Sequence, residues 1–263
     1  MTQYPNCKIN LGLQILSQRP DGYHDIASIM LPVDTMHDTL DIEPLPDPTA
    51  ETRFELVGAT LDCLDDKNTC LKAYRLLRDN YPGQVGAVHI RLTKGIPHGA
   101  GLGGGSSDAA FTLRMLNELF HLHLDNETLC RLAVKIGADC PFFIHNRPAY
   151  TTGIGDIIKP IDLDLEKLGL HVEVVKPAVN VSTREAYEGT TPHASTVDLR
   201  EAVQLPVERW RDLIVNDFEA TILPRFPEIA QLKADFYRRG AVYASMSGSG
   251  SSVFAFFSKK QNN

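Results

Sequence analysis

Over residues 7–15 the chain alternates strictly, with Cys7, Ile9, Leu11, Leu13 and Ile15 on one face and Lys8, Asn10, Gly12 and Gln14 on the other. Successive side chains of an extended chain point to opposite faces, so this pattern predicts a half-buried strand with Lys8 and Asn10 as neighbours on its polar side. Arg19-Pro20-Asp21-Gly22 predicts a turn, and strands are expected over 26–33, 39–43, 53–57 and 88–92. Helical spacing takes over elsewhere. Asn68 and Thr69 can cap a helix carrying Leu71, Tyr74 and Leu77, which stops before Pro82-Gly83. Ala109, Leu113, Leu116 and Phe120 predict a helix starting near Ser106 or Ser107, and Asp125 caps the next, which ends at Gly137.

Residues 150–158 read as extended and glycine-containing, and a second half begins there. It holds a strand over 170–175, short helices near Thr183, Asp198 and Leu213, and a longer helix over 227–239 closed by Gly240. Strands over 241–246 and 253–257 flank the loop Ser247-Gly248-Ser249-Gly250, and a polar tail, 259–263, is expected to fray. The interleaving predicts an α+β fold in two lobes, with domains over 1–150 and 151–263.

Composition narrows the partners. A net charge of −7 argues against a general polyanion binder, so no nucleic acid is expected. An anion site would have to rely on backbone N–H groups. No apolar run approaches the roughly 18 residues of a membrane span, so no membrane partner is expected. Cys7, Cys63, Cys70, Cys130 and Cys140 form no CxxC pair and no zinc spacing, which fits reduced thiols in a cytoplasmic protein, and the amino-terminal residues lack the pattern of a leader.

The richest chemistry lies in 97–107, Pro-His-Gly-Ala-Gly-Leu-Gly-Gly-Gly-Ser-Ser, between a strand and a helix. Glycines there allow positive φ and close approach of backbone to ligand, and the positive end of the following helix suits a di- or triphosphate. Ser106 and Ser107 add hydroxyls that can bind phosphate oxygens. Gly99, Gly101 and Gly104 match GxGxxG, but the preceding strand alternates where a buried parallel strand would be continuously apolar. No Asp or Glu stands well placed for a ribose, and no GxxxxGK[ST], HRD or DFG is present.

The segment PHGAGLGGGSSDAA resembles the second motif of the GHMP kinases, Lys8-Ile9-Asn10-Leu11 resembles the first, and Met246-Ser247-Gly248-Ser249-Gly250-Ser251-Ser252 the third. Arg19-Pro20-Asp21-Gly22-Tyr23-His24, Gly137-Ala138-Asp139-Cys140-Pro141-Phe142-Phe143 and Asn216-Asp217-Phe218-Glu219 are similar to members that phosphorylate an alcohol carrying a cytidine diphosphate group. The resemblance implies a two-lobed fold, with a ribosomal-S5-like first domain and a ferredoxin-like second. It implies ATP with Mg²⁺ as cofactors and a small-molecule substrate bearing that group.

By the same resemblance Lys8 and Asp139 are catalytic, Asp139 as base. Pro97, His98, Gly99, Ala100, Gly101, Leu102, Gly103, Gly104, Gly105, Ser106 and Ser107 hold ATP, with Asn68 and Lys94 near it, although Asn68 doubles as a helix cap. Tyr23 and His24 are assigned to the cytosine, Tyr187 to a second aromatic contact, and Asn10 and Thr183 to the substrate. Many relatives carry Asn where this chain has Asp108, and a carboxylate beside a phosphate loop repels nucleotide unless something offsets it. The metal ligands are not assigned. Another alcohol kinase of the same superfamily would keep the loop and Asp139 without the base-reading pair, and a non-catalytic sensor would drop Lys8 or Asp139. A dinucleotide oxidoreductase fits least.

Overall fold

The computed structural model describes residues 1–58, 68–195 and 197–259, so Cys63 and the tail beyond 259 lie outside it. Its strands are β1 (Thr2–Gln3), β2 (Asn6–Gln18), β3 (His24–His37), β4 (Thr39–Pro44), β5 (Arg53–Val57) and β6 (Val88–Thr93). They are followed by β7 (Ala149–Thr152), β8 (Ile157–Pro160), β9 (Leu170–Val175), β10 (Tyr243–Met246) and β11 (Val253–Ser258). The helices are α1 (Thr69–Asn80), α2 (Gly104–Leu119), α3 (Asn126–Ala133), α4 (Cys140–His145), α5 (Thr183–Glu188), α6 (Leu199–Ala202), α7 (Trp210–Leu213), α8 (Glu219–Arg225) and α9 (Pro227–Arg238). No helix among the described residues is long and apolar enough to cross a membrane.

These elements group into two units. The first comprises Met1–Cys7, Met36–His98 and Gly103–Asn146, the second Lys8–Thr35, Gly99–Leu102 and Arg147–Asn263. Residues 8–35 and 99–102, which precede position 150, thus group with the second unit.

In the first unit β1, β4, β6 and β5 form one sheet in that order. Strand β6 runs antiparallel to β4, with Ile90 opposite Ile42, and parallel to β5, with Ile90 opposite Phe54. Parallel neighbours need a crossover, and α1 lies in the connection from β5 to β6. Asn68 caps α1 as expected, its Oδ1 accepting from Cys70 N at 2.9 Å and Leu71 N at 3.3 Å, and Asp125 caps α3 through Thr128 N at 2.8 Å. Leu77, Leu113, Leu116, Phe142 and Phe143 are fully buried where α1, α2 and α4 pack.

The second unit has two sheets, β2-β3-β7-β8 and β10-β11-β9. The expected turn after β2 is present, with Gly22 N donating to Arg19 O at 3.0 Å and Gly22 at φ +87°. Residues 150–158 form the β7–β8 hairpin. Leu13 and Ile15 of β2 join Phe218, Ile222, Phe236, Met246 and Val253 in one apolar cluster.

Strand β2 departs from the half-buried reading, because its polar face is covered too. Lys8 is 4% exposed, Asn10 1% and Gln14 8%. Other segments of the same unit lie over that face and satisfy its polar groups: Asn10 Nδ2 donates to Ser28 Oγ at 2.9 Å, and Gln14 Nε2 to Val197 O at 3.0 Å. Buried polar side chains persist when they are hydrogen-bonded in this way.

Candidate active site

The glycine loop leaves β6 and passes through both units. Gly99, Gly101 and Gly103 take φ of +62°, +75° and +72°, a conformation glycine enters without a Cβ penalty. Helix α2 begins at Gly104, ahead of the expected start at Ser106 or Ser107, since Gly103 in the left-handed region directs the chain straight into the helix. No side chain caps this end, so the first turn of α2 presents its N–H groups and the positive end of its dipole to an anion. Ser107 Oγ in that turn is fully buried and without a hydrogen-bond partner. These features fit a bound polyphosphate. Pro97 is half-buried, His98 and Gly105 are exposed, and Ala100 and Leu102 are buried.

Within the first unit, charge gathers at the base of the loop. Lys94 Nζ donates to Asp108 Oδ2 at 2.7 Å and also to Asp38 Oδ2. Asp38, wholly buried, also accepts from Gly95 N at 2.6 Å and Ile96 N at 2.8 Å through Oδ1. Burial acts to lower the Lys94 pKa, but the two carboxylates outweigh it and hold the ammonium above its usual value. Burial raises Asp108 to about 7, with Asp38 adding to the rise and Lys94 opposing it. Lys94 thus lies between the loop's two ends as an ion-paired group, and it supplies the offset that a carboxylate at position 108 requires. Asp38 was missed in the sequence, where nothing local marks it.

Asp139 stands half-buried at the N-cap position of α4, a six-residue helix beyond the stop at Gly137 that the sequence did not indicate; its carboxylate makes no capping bond. The neighbouring Cys140 thiol is pushed up to about 12, chiefly by burial, with a hydrogen bond from Ser106 opposing and the Asp139 charge adding. Asp139 and Ser106 of the glycine loop therefore flank one residue. Among the described residues no three His, Cys, Asp or Glu side chains gather as a metal site.

Within the second unit, residues 99–102 are held by β2 and by the loop after β10. Lys8 N donates to Leu102 O at 2.9 Å and Ser252 N to Ala100 O at 3.2 Å. Gly101 O accepts from Lys8 Nζ at 3.2 Å and Ser247 Oγ at 3.0 Å. Lys8 Nζ also donates to Asn10 Oδ1 at 2.5 Å, so the lysine meets its strand neighbour, as the alternation suggested, and the glycine loop as well. A Cβ at Gly101 would lie 2.0 Å from Ser247 O. Ser247, which the sequence placed in the third motif without a role of its own, is thus a fixed point of the site.

The other predicted substrate residues form a second group in this unit. His24 stacks on Tyr187 with centroids 4.7 Å apart, and Tyr187 meets Phe218 edge-on at 4.9 Å. Thr183, one helical turn before Tyr187 on α5, has its hydroxyl 3.2 Å from Ser249 Oγ. Tyr23 is 58% exposed, its N–H held by Asp21 Oδ1 at 3.0 Å.

Residues 68–147 match the GHMP kinases N terminal domain, and residues 200–263 match the GHMP kinases C terminal domain. The chain is 45% identical over 257 residues to a Bacteroides thetaiotaomicron protein named 4-diphosphocytidyl-2-C-methyl-D-erythritol kinase, spanning 98% of this chain and 92% of that one. A Bacteroides fragilis protein of the same name is 45% identical over 261 residues, 99% and 93% of the two chains. A crystal structure of 4-(cytidine 5'-diphospho)-2C-methyl-D-erythritol kinase superposes with a TM-score of 0.81 at 31% identity, covering 97% of this chain and 89% of the other.

Proposed function

The chain belongs to the GHMP kinases, and we propose that it transfers the γ-phosphoryl group of ATP to the 2-hydroxyl of 4-diphosphocytidyl-2-C-methyl-D-erythritol. The products are the 2-phosphate and ADP, in the cytoplasm, on the non-mevalonate route to isoprenoid precursors. The observation that carries this reading is the 45% identity, over nearly the full length, to relatives of that name, joined to a lysine bonded directly to the glycine loop.

The glycine loop and α2 bind the phosphates through backbone N–H groups, and the buried Ser107 Oγ would help to hold a Mg²⁺ ion, which would supply neutralisation of phosphate charge. Lys8, fixed by Asn10 and Gly101 O, offsets charge on the transferring group. Asp139 orients the acceptor hydroxyl and takes its proton late, as a loose transition state allows. His24 hydrogen-bonds the edge of the cytosine, while Tyr187 and the exposed Tyr23 supply aromatic faces. His24 and Tyr187 are too close to admit a base between them, so the cytosine stacks on an outer ring face or displaces His24.

A coupled ADP-release assay across alcohols with and without a cytidyl group tests this. Turnover is expected only with the cytidyl alcohol, and Asp139→Asn should lower it by roughly 10² or more with ATP affinity little changed. Equal turnover of plain alcohols would overturn the substrate, and near-normal turnover by Asp139→Asn would overturn the base.

A further inference from the structure

One sequence motif has no part in the roles assigned above: Asn216-Asp217-Phe218-Glu219. Its side chains tie the segment to β2, to the end of β10 with the loop after it, and to Tyr187. Asn216 is fully buried and donates through Nδ2 to both Met246 O and Gly248 O at 2.8 Å, while its Oδ1 accepts from Phe218 N at 3.1 Å. Asp217 Oδ2 accepts from Ile15 N of β2 at 2.7 Å and lies 2.8 Å from His193 Nε2. Its backbone runs beside β2, with Asp217 N donating to Leu13 O at 2.8 Å and Leu13 N to Val215 O at 3.0 Å. Phe218 is the edge-on buttress of Tyr187. Glu219, 7% exposed, accepts from Met246 N at 2.7 Å and Ser245 Oγ at 3.1 Å, and its other oxygen takes Lys233 Nζ at 2.5 Å.

The Asn216 position needs two donors and one acceptor on a single short side chain, which only an amide supplies. What it holds is close to the chemistry. A Cβ at Gly248 would lie 3.2 Å from Gly101 O and 3.3 Å from Asn10 Oδ1, the two acceptors of the Lys8 ammonium. A shift of the Ser247–Gly250 loop by a few tenths of an ångström therefore presses on the lysine's own partners. Phe218 has the same relation to the aromatic group, since Tyr187 packs between it and His24.

We propose that Asn216-Asp217-Phe218-Glu219 is a positioning bracket with two separable outputs: Asn216 registers the Ser247–Gly250 loop against Gly101 and Lys8 and so governs ATP handling, while Phe218 sets Tyr187 and so governs recognition of the cytidyl group. It rests on the functional reading above for the identity of the two ligands.

The test compares Asn216→Asp, Phe218→Leu and Ser247→Ala in the full chain, measuring both Michaelis constants, turnover and the thermal midpoint. Asn216→Asp replaces two donors by a carboxylate facing two carbonyls, and should raise the ATP constant about tenfold or more while the alcohol constant moves less than about twofold. Phe218→Leu should do the reverse, raising the alcohol constant about fivefold. Ser247→Ala removes the loop's bond to Gly101 without touching the bracket, so it should copy the Asn216→Asp pattern and add little to it in the double variant. Parallel changes in both constants, or a lowered midpoint with both constants intact, would overturn the bracket. If Asn216→Asp does not fold, the opposite signatures of Ser247→Ala and Phe218→Leu decide. Binding of a fluorescent ATP analogue reads the Asn216 arm without turnover, so a wild-type chain inactive on the cytidyl alcohol would sink the substrate and leave the bracket still testable.

Discussion

The glycine loop is held by charge at its base and by neutral backbone contact in its middle. In the first unit Lys94 pairs with Asp108, the residue after the loop, and with Asp38, which also accepts from the backbone N–H groups of Gly95 and Ile96 just before the loop. In the second unit Gly101 O accepts from the Lys8 ammonium and the Ser247 hydroxyl, but the close packing there is neutral, the missing side chain of Gly101 making room for Ser247 O. The two grips differ in what they tolerate. A buried ion cluster fails when one partner is lost, because the remaining charge has no solvent, yet it can be rebuilt from neutral groups. Backbone packed against backbone cannot accept even one added carbon.

The sharpest test of that difference is Gly101→Ala. The new methyl would lie 2.0 Å from a backbone oxygen, at a φ of +75° that disfavours any Cβ. A loss of about 4 kcal/mol or more is expected, together with loss of ATP binding, read by denaturant unfolding and nucleotide titration. Near-normal ATP affinity would show that the loop does not need Ser247. Next in size is Lys94→Met, which strands Asp38 and Asp108 and should cost about 3–5 kcal/mol. Adding Asp38→Asn and Asp108→Asn to that variant should recover most of the loss. Failure to recover would mean that the lysine acts through packing.

The charged grip also predicts a pH signature that the neutral grip lacks. An unfolded Asp108 releases its proton near 3.8, whereas burial and Asp38, against the pull of Lys94, keep it on to about 7 in the folded chain. Between those values the folded state binds more protons, so this group's contribution falls as pH rises through the window. Asp38, Lys94 and the buried Cys70 thiol surround it, and the thiol, held up mainly by burial, stays neutral there. Asp108→Asn should therefore shrink the difference in thermal midpoint between pH 5 and pH 8 by about 4 °C. An unchanged difference would show Asp108 ionised throughout.

The two grips were also unequally legible in the sequence. The neutral one was half visible: alternation over 7–15 put Lys8 beside Asn10, and the glycines marked the loop. Periodicity could not show that the polar face is covered, because its covers come from positions such as Ser28 and Val197. Caps at Asn68 and Asp125 and the stop at Gly240 were readable because their bonds or dihedrals are local. Helix α4 was not, since six residues give too few turns for a period to register. The start of α2 was placed late because glycine reads as a breaker, whereas here Gly103 at φ +72° turns the chain directly into a helix that opens with two glycines. Asp38 left no trace, as its partners are more than fifty positions away.

The smallest effect is the one that separates strain from contact. Gly99 shares the loop and the sign of φ with Gly101, at +62°, but a Cβ there would meet nothing within 4 Å. Gly99→Ala should therefore cost only the backbone term, about 1 kcal/mol, and leave the Michaelis constant for ATP within about threefold. Because the two alanines share that backbone term, the difference between them isolates the contact with Ser247. If Gly99→Ala proved as damaging as Gly101→Ala, the loop's sensitivity would lie in its dihedrals alone, and the neutral grip would be a consequence of the turn and not its cause.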